Sequence, residues 1–84
     1  MAAKPKVVLL LTEELHKEFM VPEVEEALSA FEVVHAPQAR TEDELISVLQ
    51  GAAGCITSWR SPRLTAKVIE RSESLRIIGH SAGS

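Results

Sequence analysis

Eighty-four residues carrying a net charge of −3 make one domain, spanning residues 1–84. A chain this short buries only about 60–65% of the surface its unfolded form exposes. With three aromatics (Phe19, Phe31 and Trp59) and no basic run, it lacks the stacking platforms and charged stripes of nucleic-acid binders, so no nucleic-acid partner is expected.

The single cysteine, Cys55, excludes an internal disulfide, and its place within an apolar run marks it as a small buried side chain. No apolar stretch approaches the length of a membrane span, and no leader is expected before Val7. The expectation is a cytoplasmic chain without membrane association. Charge is unevenly placed. Ten of the twelve acids fall between Glu13 and Glu44, whereas Arg60, Arg63, Lys67, Arg71 and Arg76 face only Glu70 and Glu73 after Gly51. The second half is therefore the better place for an anionic ligand.

Four short apolar runs set the architecture. Their centres, Leu9, Val33, Ile56 and Ile77, lie 24, 23 and 21 residues apart, room for one helix and two loops each. That rhythm predicts an α/β fold with a parallel sheet. The first strand, 6–12, is apolar without alternation, as a strand covered on both faces should be. A polar stretch, Glu13 to Lys17, reads as a solvated loop. A helix over 22–30 starts at Pro22 and carries a stripe of Met20, Val24, Leu28 and Phe31.

A strand over 31–36 follows, then a helix over 42–51. Its start is a capping box, Thr41-Glu42-Asp43-Glu44, and its stripe is Leu45, Val48, Leu49 and Ala52. After a strand at 54–58, a helix over 63–72 is capped by Ser61 or Thr65, with Leu64, Val68, Ile69 and Leu75 facing inward. The last strand is 75–79. His16 and His35 have no partner at metal-ligand spacing, so no metal site is expected.

Gly79-His80-Ser81-Ala82-Gly83 spells the G-x-S-x-G nucleophile elbow and follows a strand, which makes Ser81 a candidate hydrolase nucleophile. The acid and histidine that should follow the serine are missing, and His35 is a weak substitute. The glycine fingerprint of dinucleotide binding should follow the first strand, where Thr12-Glu13-Glu14-Leu15 stands. No cofactor is expected on this chain.

Ile56 to Glu70, followed by Leu75-Arg76-Ile77-Ile78-Gly79, resembles the N-terminal substrate domain of the D-isomer-specific 2-hydroxyacid dehydrogenases. The resemblance implies a flavodoxin-like, Rossmann-like three-layer sandwich with strand order 2-1-3-4. It also implies that loops after the third and fourth strands meet a substrate carboxylate. Those loops hold Ser58, Trp59, Arg60 and Ser61, then His80, Ser81, Ala82, Gly83 and Ser84. The family's Gly-Val-Gly after the fourth strand is replaced here by Ala82-Gly83-Ser84.

In the family the NAD(P)-binding domain, the substrate-binding arginine and the acid/base histidine come later in the chain. The resemblance therefore implies a truncated, inactive substrate-domain fragment of a NAD(P)-dependent oxidoreductase. A stand-alone module binding a small anion or a protein is the alternative, and a serine hydrolase fragment the third. A partial sheet has a bare edge, which predicts self-association as a homodimer through that edge or an apolar face.

Overall fold

The computed structural model describes residues 4–58 and 61–80. The elements in chain order are β1 (Lys6–Leu9), α1 (Glu13–Phe19), α2 (Pro22–Leu28), β2 (Glu32–His35), α3 (Glu42–Val48), β3 (Ala52–Thr57), α4 (Ala66–Arg71) and β4 (Ile77–His80). The four strands form one all-parallel sheet in the order β2-β1-β3-β4. The parallel α/β sheet is as the chain's rhythm predicts, and the flavodoxin-like order 2-1-3-4 is the one the family resemblance implies.

Alternate residues of β1 feed two cores, as the period of two in a strand dictates. Val8 and Leu10 join Leu45 and Leu49 of the α3 segment, Val68 of α4, and Ala36, Ala39, Ala52 and Cys55. Val7, Leu9 and Leu11 face the other way, against Leu15, Phe19, Met20, Val33 and Ile56. Side chains from helices thus pack on both sides of β1, which is buried between them, and this explains its unbroken apolar run.

Several expected boundaries are corrected. The stretch taken as a loop at 13–17 is a helix, α1. Thr12 Oγ1 accepts a hydrogen bond from the Leu15 N–H at 3.2 Å, and Glu13 and Glu14 lie in the first turn, where the helix dipole favours acids. At seven residues it is too short for periodicity to reveal. The first strand ends at Leu9 rather than 12 because Thr12 already caps α1. The helix expected over 22–30 stops at Leu28, so Phe31 lies outside it and is exposed. Strand β3 starts two residues earlier than expected, at Ala52, because Gly51 turns the chain at φ +77° immediately before it. Thr65, not Ser61, caps α4: its hydroxyl accepts from the Val68 N–H. The helix therefore starts at 66 rather than 63, which leaves Leu64 before it and Ile69 on its exposed side.

The capping box forms as expected. Thr41 Oγ1 accepts from the Glu44 N–H, and Glu44 Oε1 accepts from the N–H groups of Thr41 and Arg40. These donors, the Thr41 amide foremost, hold the Glu44 carboxyl below its ordinary range.

Cys55 is buried in β3, and burial pushes its thiol up to about 11. It should stay unlabelled by iodoacetamide in the native protein and react on addition of urea. Rapid native labelling would contradict the buried placement.

Candidate functional site

The carboxyl ends of parallel strands are where ligands collect, at the point where successive connections leave in opposite directions. Here β1 connects outward to β2, and β3 connects the other way to β4, so that point lies between β1 and β3. The loop after β3 is folded back over it. Ser61 Oγ accepts from the Ser58 N–H at 2.9 Å and donates to the Leu10 carbonyl just past the end of β1. The Ser61 N–H returns to the Ser58 carbonyl at 3.1 Å. One hydroxyl thus ties the loop to both strands that flank the crevice.

Beside this tie lies a hollow of about 420 Å³ lined by Thr57, Ser58, Ser61, Arg63, Leu64 and Ile78, among others. Thr57 Oγ1 donates to the Gly79 carbonyl at 3.4 Å, which joins the ends of β3 and β4 beneath it. Arg63 is exposed at the rim and supplies positive charge. A small anion is the ligand class this wall suits: Arg63 as a cation and the Ser58 hydroxyl as a donor, beside apolar Leu64 and Ile78; the hydroxyl protons of Thr57 and Ser61 are already given to carbonyls.

The expected site residues divide three ways. Ser58 and Ser61 come together as described, with Ser58 buried and Ser61 half-buried. His80 closes β4, paired with Thr57 on β3, so its backbone ends at the same side of the sheet. Trp59, Arg60, Ser81, Ala82, Gly83 and Ser84 lie outside the described residues. Thr57 and Arg63 were missed as lining residues. Arg63's signal was its loop position within the basic half of the chain.

On the other side of the crevice, Thr12, Glu13, Glu14, Pro37 and Gln38 line a hollow of about 490 Å³. Its carboxylates oppose an anion. They also occupy the start of α1, where a dinucleotide's pyrophosphate would rest in a nucleotide-binding unit. With two acids and no glycine there, the residues present do not fit NAD(P).

His16 of α1 and His35 of β2 stack face to face, with ring centroids 3.8 Å apart and planes 12° from parallel. His35 Nε2 lies 2.8 Å from the Leu11 carbonyl. A carbonyl can only accept, so Nε2 carries the proton and His35 is fixed in orientation. Burial, and secondarily the charge of His35, lower the His16 value below its ordinary one. The unfolded chain then binds the proton more readily than the folded one. Stability is therefore complete above the unfolded value of about 6.5 and falls as pH drops through it. Urea midpoints taken between about pH 7.5 and 5 should decline for the native chain and decline less for His16→Phe, which keeps the stack without titrating. Equal slopes would assign the loss elsewhere.

The stack also bears on acyl chemistry. His35 sits on one edge of the sheet and β4 on the other, three strand spacings or about 14 Å apart. Among the described residues, no three of His, Cys, Asp and Glu converge on a possible metal position. Nor is any described helix long and apolar enough to cross a membrane.

No protein-family model, no curated protein and no solved structure matches this chain.

Proposed function

We propose that this chain is the substrate-domain portion of a NAD(P)-dependent D-2-hydroxyacid dehydrogenase and binds a small carboxylate beyond β3. The observation that carries the reading is the Ser61 tie. It holds the loop after β3 over the crevice where an open parallel sheet takes its ligand. The family resemblance places substrate contacts in that same loop, and Arg63 adds a cation at the rim of the hollow.

The chain alone is inactive in this reading. Hydride transfer needs a held nicotinamide and a proton donor, and the family supplies both from a later domain. The small-anion module remains the second reading, favoured by the same hollow. The hydrolase reading is disfavoured by the separation of His35 from β4.

Titration with oxalate or pyruvate tests the site. Amide shifts should concentrate at Ser58, Ser61, Arg63 and the residues after Gly79. Shifts confined to other regions, or none at all, would overturn the reading. An assay with NADH and a 2-keto acid should give no turnover, whereas turnover would refute the inactive-fragment reading.

A further inference from the structure

The two open edges of the sheet differ in charge. On the β2 side, residues 13–32 carry seven glutamates against Lys17 alone. On the β4 side, residues 61–80 carry Arg63, Lys67, Arg71 and Arg76 against Glu70 and Glu73. Both β2 and β4 pair on one side only among the described residues.

Strand β4 is short but otherwise unprotected as an edge. Its first three residues, Ile77-Ile78-Gly79, include no charge and no proline, and its register with β3 has no bulge. Ile77 is 71% exposed and Ile78 47%. Beside them the sheet face is bare: an apolar cleft of about 280 Å³ runs along Val7, Ile56 and Ile77 to Leu28 and Phe31. On that face the packed helical side chains are Leu15 and Phe19 of α1, set against Val7, Leu9, Leu11 and Val33 of the β1–β2 half.

We infer that β4 pairs with β2 of a second copy in head-to-tail, parallel register. The register within the sheet supplies the argument. Val33, Val7, Gly54 and Ile77 share one row; a bulge in β3 at Ala53 precedes it, and Glu32 and Arg76 each stand one residue before it along their own strands. Continuing the rows into the next copy sets Ile77 beside Val33, Ile78 beside Val34, and Arg76 beside Glu32 of that copy. Glu32 and Arg76 are both exposed. The same placement brings the α1–α2 layer of the next copy alongside the bare half of the sheet. A two-fold β4–β4 contact instead brings two basic α4 surfaces together and leaves both bare halves uncovered.

Sedimentation over a concentration series, without ligand, tests this independently of the carboxylate site. The native chain should grow in mass without a plateau at the dimer and shrink as salt is raised. Glu32→Lys and Arg76→Glu should each suppress growth, by facing like charges across the contact. An equimolar mixture of the two variants should restore it, since each then offers the edge the other lacks. Circular dichroism confirms that both remain folded. A plateau at dimer, a monomer at all concentrations, or variants that do not rescue each other would overturn the inference.

Discussion

Leu9→Ala is expected to lower the free energy of unfolding by about 2–5 kcal/mol, as for buried leucines generally. Leu9 is fully buried in the central strand, between Val7, Leu11 and the side chains of α1. The sheet on either side is fixed by backbone pairing to His35 and Ile56, so the void cannot close by a local shift. A domain of this size has roughly 5–15 kcal/mol in total, so the variant approaches or crosses the threshold of folding. Urea denaturation should show the midpoint falling with little change in slope. Ile78→Ala, at a half-exposed site, is the comparison and should cost well under half as much. Equal losses would mean that the core does not centre on β1.

The second large effect is expected at Ser61. Ser61→Ala removes one hydroxyl but strands two backbone groups, the Ser58 N–H and the Leu10 carbonyl. Leaving a buried partner unsatisfied costs about 1–3 kcal/mol. Because the tie links a loop to the sheet, the loss should be local. Hydrogen exchange at Ser58 should accelerate far more than at Leu45 or Val68, and the oxalate-induced shifts should weaken. Uniform acceleration would indicate global destabilisation. Unchanged exchange at Ser58 would show that the tie does not hold the loop.

Much of the architecture was legible because each signal had one physical meaning. The unbroken run at Val7–Leu11 meant burial on both faces, and the spacing of strand centres meant crossover helices. The Thr41–Glu44 capping box encodes its hydrogen bonds locally and appears as written. Helix α1 was misjudged because Glu13-Glu14-Leu15-His16-Lys17 is nearly all polar; only the Thr12 cap betrays it. The stacking of His16 on His35 joins residues 19 apart in sequence across a helix and a strand, and no pattern announces such a contact. The site was half legible. Resemblance selected the Ser58–Ser61 loop, but that Ser61 reaches the carbonyl of Leu10 depends on how the strands pack side by side. Arg63 enters the wall for the same reason.

The central position of β1 also has a cost in time. Of the four strands this one is synthesised before the others, and both of its neighbours come later, β2 from Glu32 and β3 from Ala52. At about 5–20 residues per second, roughly 2–9 s separate the emergence of β1 from that of its second partner. Throughout that interval the most apolar segment of the sheet has at most one neighbour and is open to capture by other chains.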